Sequence, residues 1–281
     1  MSVLFGGRFP ERYFNVGIAE QNMLSVAAGL AAAGKTAFCG SFSVFASGRA
    51  YDQIRQTIAI GRLNVKICGS SAGLSDFGDG GTHQSVEDIA LMSAIPSMTV
   101  LTPWDAPGAR MAVRVAAERE GPVFIRLSRH DLPELIPEGD GDIDKNIKSF
   151  EPVLLKKGGD IFILAHGCMV SAAMEAAEML EKEGVSAGVA GIGAMKPFPY
   201  DCVRELAENV KGIITAEDHN YIGGLASAAA FALRQSKTPM DYVAVEDVFG
   251  QSARSLEPLM AHYGLTAENI AVKALELLNK R

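Results

Sequence analysis

The segment Arg12-Tyr13-Phe14-Asn15-Val16-Gly17-Ile18-Ala19-Glu20-Gln21-Asn22-Met23 leads into a run that is apolar or small on nearly every face as far as Ala33, and Glu20 is the only charge between Ile18 and Ala33. A carboxylate in such a run lies near a solvated helix end or is held inside for a chemical reason. Asn15 reads as the N-cap, which sets Glu20 in the first or second turn, where the helix dipole favours an anion. On this segment alone both readings of the acid stay open.

Two further segments carry unusual composition. Gly40-Ser-Phe42-Ser-Val-Phe45-Ala-Ser-Gly-Arg49-Ala-Tyr-Asp-Gln53 places an aromatic pair three apart ahead of an arginine. Ser75-Asp-Phe-Gly-Asp79-Gly-Gly-Thr-His83-Gln is a glycine-rich loop with two acids and a histidine, leading into a helical pattern from Ser85 to Met92. With Leu127-Ser-Arg129, these segments resemble, in order and spacing, the pyrimidine-binding domain of transketolase-type thiamine diphosphate enzymes. The resemblance continues through a second domain to the end of the chain.

Composition narrows the alternatives. With 281 residues, 48% of them hydrophobic, the chain can bury a proper core in one large or two ordinary domains. Met23 to Gly34 is the longest uncharged apolar run and is too short to cross a bilayer, and the N-terminus lacks the pattern of a secretory signal. A cytoplasmic location without a membrane partner is the resulting expectation. Cys39, Cys68, Cys168 and Cys202 are widely spaced without a paired metal-ligand pattern, so they read as reduced thiols and no structural zinc is expected. A net charge of −7 without a basic cluster argues against a nucleic-acid partner.

The fold expected is α/β, in two domains, each a mostly parallel sheet flanked by helices. Short apolar segments at Thr36 to Cys39, Val65 to Cys68, Met98 to Leu101 and Val123 to Leu127 alternate with helical patterns, as parallel strands joined by helices do. From His130 to Pro152 prolines and the acidic Glu138-Gly-Asp-Gly-Asp-Ile-Asp break the pattern. We therefore divide the chain into a pyrimidine-binding domain over 1–130, a linker over 131–155 and a C-terminal domain over 156–281. In the second domain Asp160 to Ala165, Ser186 to Ala190, Gly212 to Ala216 and Tyr242 to Val245 read as strands, with helices from Val170 to Glu183 and from Gly224 to Arg234.

The resemblance also says what is missing. Transketolase middle domains begin with a helix and a strand ahead of the Arg12 motif, whereas eleven residues precede it here. The family's metal and diphosphate signature, a Gly-Asp-Gly motif followed at its characteristic distance by an Asn-containing segment, is not matched: the Gly-Asp-Gly triplets at 78–80 and 139–141 belong to the glycine-rich loop and to the linker. The sequence thus resembles the C-terminal half of a transketolase. A separate N-terminal subunit, holding the cofactor's diphosphate and most of its magnesium or calcium, is the implied partner.

Site roles follow from the same resemblance. The family's chemistry needs a buried acid that shares a proton with the 1′ nitrogen of the cofactor's aminopyrimidine, and Glu20 matches that position. Burial with no other charge nearby is expected to raise its pKa. Phe42 would pack on the pyrimidine face and Phe45 nearby, although a pair three apart also suits ordinary core packing. Gly48 stands where many transketolases carry a tyrosine that reaches the pyrimidine amino group. His83 matches the histidine that handles the substrate's hydroxyl and carbonyl oxygens, and imidazole chemistry suits proton transfer near neutrality. Asp79 would hydrogen-bond the sugar's 2-hydroxyl, or simply form the turn with its glycines. Arg129 matches the phosphate-binding arginine. Ser71 occupies the position of a second, phosphate-contacting histidine, and Arg49 is a further substrate candidate; either arginine could instead form a surface ion pair. Glu217-Asp-His219-Asn-Tyr-Ile-Gly223-Gly224 reads as structural or subunit-contacting.

The expectation is the C-terminal subunit of a split transketolase, active only with its N-terminal partner, transferring a two-carbon ketol unit between sugar phosphates with thiamine diphosphate. A homodimer contact is expected as well. The alternatives are a 1-deoxyxylulose-5-phosphate synthase, which carries an arginine in a similar Arg-Ala-Tyr-Asp-Gln setting to Arg49, and a non-catalytic scaffold subunit.

Overall fold

The computed structural model describes residues 2–135 and 148–279. Two five-stranded sheets organise them. In the first, β1 (Ala37–Phe42), β2 (Val65–Ser70), β4 (Val123–Arg126) and β3 (Thr99–Leu101) lie parallel in that spatial order. In the second, β10 (Met240–Val245), β9 (Gly212–Asn220), β6 (Ile161–Ala165) and β7 (Ala187–Gly191) lie parallel. Each sheet is closed on one edge by an antiparallel strand. β8 (Ala194–Lys196) completes the first beside β3, and β5 (Val153–Lys156) completes the second beside β7.

Helices cover these sheets. They are α1 (Ser2–Arg8), α2 (Glu20–Ala32), α3 (Asp88–Ala94), α4 (Ala106–Glu118), α5 (Met169–Lys182), α6 (Tyr200–Glu208), α7 (Leu225–Ala232), α8 (Leu256–His262) and α9 (Ala267–Asn279). The expected parallel strands are all present; the central β4 and β6, apolar but for Arg126, are buried along their whole length, as a sheet covered on both faces requires, while the edge strand β1 is only partly buried. The two antiparallel edge strands are additions. β5 overlaps the end of the stretch read as a linker, whose residues 136–147 lie outside the described ones. β8 crosses from the second half of the chain to extend the first sheet, so the halves share a core: Phe124 of β4 packs in one apolar cluster with Ile192, Met195 and Phe198.

α2 departs from the sequence reading at its start. Ala19, not Asn15, is the N-cap, and the Asn15 side chain instead accepts a hydrogen bond from the Gly17 amide at 3.0 Å in a local turn. The helix buries Glu20, Leu24, Ala27, Ala28 and Ala31, a stripe at helical spacing. Glu20 is therefore inside because it shares the face of Leu24, one turn further on.

The segment after β1 is wound as π-helix over Phe45–Arg49 and again over Gln53–Ala59. Within it the buried Ser47 hydroxyl donates to the Ser43 carbonyl at 2.6 Å, competing locally with the backbone ladder. Such wide turns concentrate at functional sites. The carboxyl ends of the parallel strands β1, β2 and β4 lie on one side of the sheet, the usual ligand side of such a sheet.

Candidate active site

Glu20 is 5% exposed and both of its oxygens are engaged. The Ser41 hydroxyl, from the end of β1, donates to Oε1 at 2.9 Å, and Arg49 Nη1 donates to Oε2 at 2.8 Å. Burial alone would push the carboxyl up, but the hydrogen bond from Arg49, the backbone at the helix start, the Ser41 hydroxyl and the guanidinium charge together hold it below the usual glutamate value. The expectation of an acid without charged neighbours and with a raised pKa is thus corrected: Arg49, distant in sequence, is folded onto it by the π-helical turn. An acid at the first turn of α2 also gains from the helix dipole.

Three rings gather next to this pair. His83 meets Phe42 at 5.6 Å and Phe45 at 5.2 Å between centroids, both nearly edge-on, and the two phenylalanines meet at 6.0 Å. Arg49 Cζ lies 4.1 Å from the Phe45 centroid, so one guanidinium touches the acid and an aromatic face together. Glu20, Phe42, Phe45, Arg49 and His83 form one contiguous group. All three rings are half-buried.

The glycine-rich loop holds the remaining candidates. Asp79 and His83 flank a single turn, Gly80–Thr82. Gly80 has φ +74°, and a Cβ there would run into Ser252. The second half of the chain clamps the loop further, since Gln84 Nε2 donates to the Gln251 carbonyl and the Ala253 amide to the Phe77 carbonyl. Arg129 Nη1 donates to the buried Asp76 carboxylate at 2.8 Å and stands 4.0 Å from Asp79, with both Arg129 and Asp79 about half exposed. Arg129 therefore sits at the loop's open edge, anchored from below. Ser71 is buried, with φ +53°; in this conformation it is closed to a phosphate.

A second charged group lies deeper and escaped sequence reading. Arg126 of β4 donates through Nε to both oxygens of Asp88 at 3.1 Å and through Nη1 to Asp218 of β9 at 2.7 Å. Asp88 also accepts from the Ser43 hydroxyl at 2.6 Å. Arg126, Asp88 and Asp218 are all buried, and they tie the two sheets together. Gly73, at φ +62°, has no room for a side chain because Asp218 lies against it. Glu217 accepts from the Leu225 and Ala226 amides at 2.7 and 2.8 Å, capping α7, which suits the structural reading of that motif. The signal for this group was a charge inside each of two apolar segments, Arg126 and Asp88, but nothing local says which acid meets which base.

Residues 1–134 match the family described as transketolase, pyrimidine binding domain, and residues 152–270 match transketolase, C-terminal domain. The chain is 40% identical over 281 residues to a Methanocaldococcus jannaschii protein described as a transketolase C-terminal section, covering 99% of this chain and 87% of that protein. It is 40% identical over 278 residues to the 6-deoxy-6-sulfo-D-fructose transketolase subunit of Clostridium sp. (strain MSTE9), covering 99% and 84%. A solved structure, described as a split gene transketolase, inactive beta4 tetramer, matches with a TM-score of 0.87 and 41% identity, over 98% of this chain and 86% of that one.

Proposed function

The chain belongs to the transketolase family, where it corresponds to the C-terminal section, and we propose that it is the acid-bearing subunit of a two-chain enzyme that moves a two-carbon ketol unit between sugar phosphates. The observation that carries this reading is the buried Glu20 at the start of α2, contiguous with the rings of Phe42, Phe45 and His83. An acid beside aromatic faces is a donor set that suits an aminopyrimidine: the carboxyl meets a ring nitrogen and the rings cover a flat heterocycle.

Thiamine diphosphate, once bound, would supply the nucleophilic carbon. The chain's own residues do the rest. Glu20 would hold the pyrimidine nitrogen and share a proton with it, and the half-buried rings of Phe42 and Phe45 would keep water from it. His83, held by Phe42, Phe45 and a 3.0 Å contact between Nδ1 and the Thr82 hydroxyl, exchanges protons with the sugar's oxygens. Asp79 takes the sugar's 2-hydroxyl. Arg129 grips the phosphate at the open edge of the loop, while Arg49 is engaged by Glu20 and Ser71 is buried.

Among the described residues no group of three or more His, Cys, Asp or Glu side chains is placed to hold a metal ion, and we assign the magnesium or calcium to the N-terminal subunit. Exposed apolar side chains flank Glu20, with Phe14 61% and Ile18 94% exposed, and supply surface for that subunit or for a second copy of this chain. No helix among the described residues is long and apolar enough to cross a membrane. We place the enzyme in cytoplasmic carbohydrate metabolism of the pentose phosphate type. We propose domain limits of 1–130 and 156–281, with β5 reaching back across the second boundary to Val153.

The test is ketol transfer by the chain alone and mixed with its separately encoded N-terminal subunit. The chain alone is inactive and the mixture active; Glu20→Gln, which keeps the shape but cannot share the proton, lowers turnover of the mixture by about a hundredfold or more. Full turnover by the glutamine variant, or tight magnesium-dependent cofactor binding by the chain alone, removes the reading.

A further inference from the structure

Arg49 occupies the acid and one of the two phenylalanine faces of the proposed pyrimidine site. Its Nη1 holds Glu20 Oε2 at 2.8 Å while its Cζ lies 4.1 Å from the Phe45 centroid. The other Glu20 oxygen is taken by Ser41. A guanidinium is planar, cationic and forked, so it can pair with a carboxylate and lie against an aromatic ring at once. A protonated aminopyrimidine makes the same two contacts, and both cannot be made in one place.

The pair is also lopsided. Glu20 is 5% exposed and fixed on the inner stripe of α2, whereas the Arg49 side chain is 46% exposed and reaches in from the solvent side. Arg49 ends the π-helical turn Phe45–Arg49, and Gly48 beside it has open space where a Cβ would stand. The guanidinium can therefore swing out to water while the acid cannot follow it, and the cost of leaving the carboxylate unpaired is offset only when another cationic partner takes its place.

We propose that Arg49 is a positioning residue that latches Glu20: it holds the carboxylate in register and covers the Phe45 face until the pyrimidine ring displaces it, so that cofactor entry is a competition between ring and guanidinium. The inference rests on the assignment of Glu20 to the cofactor. It gives Arg49 a role separate from substrate phosphate, and it explains why a charge sits on an acid that must later carry a proton: a carboxylate gripped by a guanidinium does not share a proton, so the latch opens before Glu20 acts.

The test is a calorimetric titration of thiamine diphosphate with magnesium into the complex of this chain and its N-terminal subunit, for wild type, Arg49→Gln, Arg49→Lys, Glu20→Gln and the Glu20→Gln/Arg49→Gln double variant. A half-exposed ion pair with a ring contact predicts that Arg49→Gln tightens binding about three- to tenfold, with Arg49→Lys close to wild type. In the Glu20→Gln background the gain disappears, since the charge that Arg49 guards is gone. Carbon NMR titration of the Glu20 carboxyl in the chain alone gives a second readout, with Arg49→Gln moving the midpoint up. Weaker binding by Arg49→Gln, or an equal gain in both backgrounds, overturns the latch. Unchanged binding by Glu20→Gln overturns the cofactor assignment itself, a separate outcome.

Discussion

Arg129 divides its guanidinium between protein and solvent: one nitrogen is spent on the buried Asp76, and about half of the side chain stays exposed. A charge-assisted contact to a sugar phosphate, made equally in ground and transition states, acts on KM rather than kcat. With Asp76 already drawing on the guanidinium, Arg129→Ala should raise KM for phosphorylated sugars about tenfold, with far less effect on kcat and little on free sugars. Steady-state kinetics with both substrate types checks this, and equal losses for both would make Arg129 purely an anchor for Asp76. At this scale Glu20, Phe42, Phe45 and His83 were singled out by the family resemblance, and the fold gathers them into one group with Arg49. The charge state of Glu20 was not legible in the sequence, because Arg49 lies 29 residues away and only a folded turn brings it back.

Among the elements, the loop from Ser75 to Gln84 is the one most exposed to a single change. Its turn needs a left-handed residue at Gly80, where an added Cβ meets Ser252, whereas Gly78 has open space around the same position. Gly80→Ala should therefore lose about 1–3 kcal/mol of stability and displace Asp79 and His83, lowering turnover, while Gly78→Ala should leave both near wild type. Thermal melts and turnover of the pair decide it; equal behaviour of the two variants would show that the clamp by the second half of the chain does not shape the loop. The clamp was illegible in the sequence. Phe249-Gly-Gln-Ser-Ala reads as a fold marker, and its contact with Gln84 spans 167 residues. The π-helical turns were equally hidden, since helical and π-helical spacing differ too little over five to seven residues for apolar periodicity to separate them.

For the whole molecule, three buried groups beside the ionic cluster between the sheets respond to pH: Glu217, His219 and His166, which follows β6 and lies 3.5 Å from Glu217. Burial, with the Arg126 charge, pushes His166 down to about 4, and burial lowers His219 too. Both are neutral in the fold, so they favour the unfolded chain once it protonates: their share of stability is complete above about pH 6.5 and is lost as pH falls, for His166 down to about 4. Burial pushes Glu217 up to about 7. Its share runs the other way, complete below the ordinary glutamate value and lost as pH rises to about 7. Between roughly pH 4.5 and 6.5 the histidines and the glutamate therefore oppose one another. His166→Gln, which removes one titrating member, should show a smaller fall in Tm from pH 6.5 to 4.5 than wild type does. Melts across that range measure it, and an unchanged slope would mean that His166 is not held neutral by the fold.

The sequence by itself determined which segments become parallel strands, because a strand buried on both faces must be apolar along its whole length, and that shows in a short window. It also carried the family resemblance, through a lone acid, an aromatic pair, a histidine loop and an arginine, because residue types and order survive without coordinates. Tertiary structure alone decided that β8 crosses to the first sheet, that Arg126 is shared between Asp88 and Asp218, and that Arg49 rather than solvent meets Glu20. These are pairings between residues far apart in the chain. Charge attraction does not depend on sequence separation, so the partner of a buried charge is settled only where the folded backbone brings the two within hydrogen-bonding distance.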